Sequence, residues 1–97
     1  MYKISELRSD HESVNIVGTV SAIDTPREIN TRFGTKVERL IVTLRDASGE
    51  IKLNLWGKQA EGILIGKKIE IHDGFVSGSR MEKCLGLTRN GWIEILE

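Results

Sequence analysis

The sequence predicts an all-β fold: a five-stranded Greek-key barrel with one short helix between the third and fourth strands. Three observations carry that expectation. Several segments alternate apolar and polar residues, as a half-buried strand does when successive side chains point to opposite faces. Short turn signals separate these segments, and Asp46-Ala47-Ser48-Gly49 stands between two of them as a hairpin connection. Only one stretch, residues 58–64, opens with good helix formers.

Each element follows in order. Residues 2–9 hold Ile4 and Leu7 at helical spacing and predict one short turn. Residues 14–23 read as the first strand, with Val14, Ile16, Gly18, Val20 and Ala22 on one face. Gly18 inside that run predicts a bulge or sharp bend. Thr25-Pro26 ends the strand because proline has no N–H for the ladder. Residues 27–35 form a loop or ragged hairpin end with Phe33-Gly34 near its tip. Residues 37–45 are the second strand, with Leu40, Val42 and Leu44 on the inner face. The third strand places Ile51, Leu53 and Leu55 inward and Lys52, Asn54 and Trp56 outward. Residues 69–72 begin a fourth strand, and Gly74 marks a bulge in it. Residues 77–82 form a polar loop, residues 84–88 the fifth strand, and Asn90-Gly91 a turn. Residues 92–96 alternate again, either extending the last strand or packing outside it. The order β–β–β–α–β–β is that of the five-stranded barrel called the OB fold.

Ninety-seven residues suit one domain, so residues 1–97 are expected to form a single OB-fold unit. Formal net charge is zero, which weighs against a strong polyanion binder, although local charge matters more than the sum. The positive excess is local: residues 27–58 carry seven basic and four acidic side chains. A single cysteine, Cys84, forms no internal disulfide and suits a reducing, cytoplasmic setting. No leader and no long apolar run point to a membrane. His11 and His72 stand without a second ligand at metal spacing, so no metal is expected. No phosphate loop, nucleophile elbow or carboxylate pair appears; no catalytic residue, no cofactor and no enzyme activity are expected.

Three segments carry a resemblance to a known family: residues 14–20, the block Asp46-Ala47-Ser48-Gly49-Glu50-Ile51-Lys52-Leu53-Asn54-Leu55-Trp56-Gly57, and residues 66–71. They resemble archaeal single-stranded DNA-binding proteins, relatives of the OB domains of replication protein A. The resemblance covers roughly residues 3–90 and implies base stacking on aromatics of the second and third strands and adjoining loops. Trp56 matches the family tryptophan ending strand three. Phe75 matches an aromatic near the end of strand four. A further family aromatic falls here near Ser79-Arg80, so the usual set is incomplete.

The residues themselves support that assignment in part. Trp56 shares its face with Lys52 and Asn54, away from the aliphatics. Phe33 at the tip of a basic loop has no stability reason to be exposed. Arg39, Lys52, Arg32, Lys36, Arg45 and Arg80 are the cations bordering these aromatics. The bland alternatives are core closure for Phe75, ordinary solvated charge for the cations, an edge-covering role for Trp92 and simple burial for Cys84. The expected function is single-stranded DNA binding without sequence preference, in replication, repair or recombination. Two other readings stand beside it. One is an interaction subunit that meets other replication or repair proteins through Ile41, Trp92 and Ile95. The other is an RNA-binding OB domain.

Overall fold

A computed structural model describes residues 2–78 and 82–97. The strands are β1 (Val14–Ile23), β2 (Arg27–Asn30), β3 (Lys36–Asp46), β4 (Gly49–Trp56), β5 (Lys68–Gly78) and β6 (Lys83–Ile95). They follow one another as β1-β5-β6-β4-β3-β2, and β1 also pairs with β3. That extra pairing closes β1, β3, β4, β6 and β5 into a barrel, leaving β2 as a short ribbon on β3. All neighbours run antiparallel except β4 and β6, which meet in parallel through Lys52–Cys84 and Leu53–Leu85.

Alternation explains the interior. Leu40, Val42 and Leu44 from β3, Ile51, Leu53 and Leu55 from β4, Ile69, Ile71 and Val76 from β5, and Leu85 from β6 are all buried. Each such side chain contributes about 1.5–3 kcal/mol on leaving water. Ile4 and Leu7 from the N-terminal segment close one end, with Ile4 in a 3₁₀ turn, Ile4–Glu6.

Two expectations are corrected, and two left open are decided. The short helix after the third strand is a single 3₁₀ turn, Gly57–Ala60, because Gly62 and Gly66 with positive φ deny the stretch the length a helix needs. The loop after β1 contains β2, whose four residues pair with Lys36–Arg39. Gly18 makes no bend: it pairs regularly with Ile69, and the irregular points lie on either side, between Val14 and Ile16 and between Val20 and Ala22. Glycine is required there because a Cβ would sit 2.7 Å from Leu44 Cγ. The second irregularity also rotates Ala22 outward and brings Ile23 against the core.

The last strand takes one of the two courses expected of it. β6 continues through Asn90-Gly91 to Ile95. The turn signal still has a counterpart. Gly74 pairs with Leu87 and His72 with Trp92, so residues 88–91 oppose Asp73 alone and must bulge outward. Asp73 takes a positive φ there, and its carboxylate accepts a hydrogen bond from the Thr88 hydroxyl at 2.9 Å.

Candidate nucleic-acid interface

The outer face of β3 and β4 is ordered by its register. Arg39 lies opposite Trp56, Ile41 opposite Asn54, Thr43 opposite Lys52 and Arg45 opposite Glu50. The parity that buries Ile51, Leu53 and Leu55 therefore turns Lys52, Asn54 and Trp56 outward, as expected. Cys84 beside Lys52 carries the row onto β6, and Gly86 two residues on shares its side. Gly86 pairs with Phe75 of β5. One continuous surface thus joins the sequence-predicted residues Trp56 and Phe75.

Trp56 is 43 % exposed, and Arg39 Cζ lies 5.9 Å from its ring centroid, within cation–π range. The Trp56 N–H donates to Gln59 Oε1 at 2.9 Å, so the 3₁₀ turn holds the end of β4 in place. Among the described residues Arg39 Nε is buried without a hydrogen-bond partner. Such a donor is costly to leave unmade. Arg27, opposite Arg39 on β2, lines a small recess with Asp24, Thr25, Arg39 and Ile41.

Phe75 is 37 % exposed, and its ring lies over Gly86, where a Cβ would stand 3.0 Å from two ring carbons. A glycine inside a strand often marks such a close approach. Phe75 also borders a recess lined by Asp10, Glu12, Asp73 and Arg89, so its surroundings are more acidic than those of Trp56.

Phe33 is 85 % exposed at the tip of the β2–β3 hairpin. Thr31 closes that tip: its N–H donates to Thr35 O at 2.8 Å, and its O accepts from Gly34 N at 3.1 Å. Gly34 has φ +79°, the left-handed conformation this turn requires. Arg32 stands beside Phe33 and is exposed. Lys36 pairs with Glu28 at 3.3 Å on an open surface, a contact of little energetic worth.

Lys52 is less free than the sequence suggested. Its Nζ donates to Thr43 Oγ1 at 2.9 Å. Both line a cleft of about 620 Å³ with Ile4, Ser48, Glu50, Lys83 and Cys84. Cys84 is half-buried on this cleft rather than enclosed in the core. Lys83 points its Nζ at Leu7 O, 2.6 Å away. Arg45 is exposed, with acidic Glu50 opposite. Arg80 lies outside the described residues.

The cleft is shaped by Asp46. Its carboxylate accepts from Ser48 Oγ at 2.6 Å, Ser48 N at 2.7 Å, Ile4 N at 2.9 Å and Gly49 N at 3.2 Å. Partial burial pushes the Asp46 carboxyl pKa up. The hydrogen bonds from the Ser48 hydroxyl and the three backbone N–H groups outweigh that, and the net pKa lies below the ordinary aspartate value. The Asp-x-Ser-Gly block thus ties the β3–β4 turn to the N-terminal segment.

Trp92 is exposed, as the interaction reading expects, and stacks on His72. Two residues fall elsewhere than expected. His72 is not alone: Glu70 and Glu94 flank it. Ile41 is half-buried, so it offers little contact surface.

The closed barrel, its strand order and its 3₁₀ turn before β5 define an OB-fold domain. No family model matches the chain. It is similar to the single-stranded DNA binding protein Ssb of Saccharolobus solfataricus, 33% identical over 76 residues, 77% of this chain and 50% of that protein. It is also similar to Replication factor A of Methanothermobacter thermautotrophicus, 34% identical over 59 residues, 61% of this chain and 7% of that protein. A solved replication factor A related protein from Methanobacterium thermoautotrophicum superposes with a TM-score of 0.84 at 28% identity, covering 100% of this chain and 91% of that one. The chain is an OB-fold domain similar to archaeal single-stranded DNA-binding and replication factor A proteins, as its motifs implied. It spans half the length of the first of these relatives and a small part of the second. Among the described residues no helix is long and apolar enough to cross a membrane.

Proposed function

We propose that this domain binds single-stranded DNA without reading its sequence, in replication, repair or recombination. The reading rests chiefly on one observation: an exposed indole, Trp56, with the Arg39 guanidinium over it. Every base has a π face, so stacking on Trp56 is indifferent to sequence. Arg39 supplies the charge that a neighbouring phosphate requires. Phe33 reaches over the same end of the sheet from the hairpin tip, and Phe75 continues the surface across Gly86. Asn54 lies between the two aromatic positions and offers an amide to a base edge or sugar. Lys52, Arg32, Lys36 and Arg45 serve the backbone, with Lys52 exchanging its Thr43 contact for phosphate. The names of the related proteins from Saccharolobus and Methanothermobacter support the ligand class. Nothing in this site calls for catalysis, and the whole chain acts as one binding unit.

Titrating oligo-dT while following tryptophan emission tests the proposal. Quenching is expected at low salt, reduced in Trp56→Ala; equal binding by that variant would remove the stacking mechanism. Competition with a matched RNA oligomer separates DNA from RNA, since the 2′-hydroxyl distinguishes them.

A second reading, an interaction subunit of a larger assembly, is favoured by a separate patch. Leu64, Ile65, Trp92, Ile95 and Leu96 are exposed. Monomeric behaviour with clear DNA binding would exclude it as the main role.

A further inference from the structure

Beyond the bulge at Asp73, the outer surface of β5 and β6 carries a group that the DNA-binding reading does not use. Glu70 and His72 share one side of β5. Glu94 of β6 is paired with Glu70, and Trp92 with His72. His72 Nε2 lies 3.2 Å from Glu94 Oε1 and 3.6 Å from Glu70 Oε2. One ligand atom from each of the three residues lies within 4.8 Å of the others.

The geometry points to a three-ligand site for a divalent first-row transition ion, Zn²⁺ being the natural occupant, held by His72, Glu70 and Glu94. Four arguments converge. First, the donor set is mixed. One imidazole with two carboxylates suits zinc and its neighbours, whereas calcium and magnesium favour oxygen alone. Second, the spacing fits. Metal–ligand bonds of about 2.0–2.2 Å in a tetrahedron put ligand atoms about 3.3–3.6 Å apart; the 3.6 Å separation falls in that range and the 3.2 Å one lies just below it. Third, the charge is unbalanced. Among the described residues neither carboxylate has a lysine or arginine nitrogen within 4.0 Å; the charged partner each has at that range is the imidazole. The Glu70 and His72 side chains are 19% and 21% exposed, so their donors are partly withdrawn from water. Fourth, the imidazole is already oriented. The Trp92 indole stacks on it with centroids 4.0 Å apart and planes 8° from parallel. Val17 of β1, paired with Glu70, gives the site an apolar flank. The three ligands stand on two hydrogen-bonded strands, which leaves the fourth position to water.

The test uses the tag-free full chain. Zn²⁺ titration followed by calorimetry is expected to show one saturable site with a micromolar Kd. In a Trp56→Phe background Trp92 is the one remaining indole, and its emission should change over the same titration, reaching a plateau at one equivalent. His72→Asn and Glu94→Gln should each weaken binding at least tenfold, while His11→Asn leaves it unchanged. Circular dichroism of each variant reports whether the barrel is intact; Glu94→Gln alters an open surface position and keeps the test valid should His72→Asn disturb the fold. Absence of saturable binding below millimolar Zn²⁺, loss of binding in His11→Asn, or equal affinity for Mg²⁺ would overturn the assignment. Oligo-dT affinity is a separate readout, so either proposal can fail alone.

Discussion

Arg39 and Trp56 face one another across the β3–β4 ladder, and the guanidinium carbon stands 5.9 Å from the indole centroid. The pair joins the two forces a single strand needs, a π surface and a cation, at adjacent positions. Removing the indole by Trp56→Ala is expected to cost about 1–3 kcal/mol of oligo-dT affinity, roughly 5- to 150-fold. Arg39→Gln should weaken binding less at low salt and lower the salt slope by about 0.7, the value for one phosphate contact. Fluorescence titrations across a salt series measure both. An unchanged slope in Arg39→Gln would assign that residue to holding the indole instead.

Phe33 and Phe75 are predicted to behave differently. Phe33 is 85 % exposed at its hairpin tip, so Phe33→Ala should leave thermal stability within about 0.5 kcal/mol while weakening oligo-dT binding. Phe75 covers Gly86, and Phe75→Ala exposes strand backbone there, so stability and binding should fall together. Melting curves beside titrations distinguish the two. A large loss of stability in Phe33→Ala would show a packing role at the tip.

Much of this was legible because the relevant signals are local. The alternation in residues 51–56 settles which side chains leave the core, and Trp56 follows by parity. Asp46-Ala47-Ser48-Gly49 names its own turn. What escaped depends on partners far along the chain. Gly18 looks like a bend in isolation, and only Leu44 from β3 reveals that it is a matter of space. His72 looks solitary because Glu94 is remote in sequence and arrives by strand pairing. Lys52 reads as a free cation until Thr43 is placed across from it. The Asn90-Gly91 signal was real but too weak to end a strand whose continuation, Trp92 to Ile95, has a ladder partner in β5.

Gly18 carries a prediction of its own. Since an added Cβ would lie 2.7 Å from Leu44 Cγ and 3.1 Å from Arg45 O, Gly18→Ala forces β1 and β3 apart at the barrel seam. Overpacking of this kind costs about 1–3 kcal/mol. For a domain of this size that is a fall in Tm of several degrees or more. Gly18→Ala paired with Leu44→Ala should recover part of the loss relative to Leu44→Ala alone. Two losses that simply add would mean that the clash is relieved elsewhere.

Asp46 gives the pH dependence. Its folded carboxyl pKa lies below the ordinary value of 3.8, since the Ser48 and backbone hydrogen bonds outweigh the opposing effect of burial. A carboxylate whose pKa is depressed by folding adds stability that is fully present above the unfolded value. That stability is lost as pH falls through the lower folded value. The Asp46→Ala variant lacks the interaction at every pH. It should therefore be less stable than the parent by about 1–2 kcal/mol near neutrality, the scale of hydrogen bonds to a charged acceptor. The gap should hold down to about pH 5 and narrow progressively below pH 4. Because Asp46 Oδ2 also anchors Ile4 N, the same variant should speed amide exchange of the N-terminal turn. Thermal melts of both proteins between pH 7 and pH 2 measure the gap. A difference that stays constant down to pH 2 would mean that the carboxylate charge contributes nothing and that the loss comes from packing at the turn.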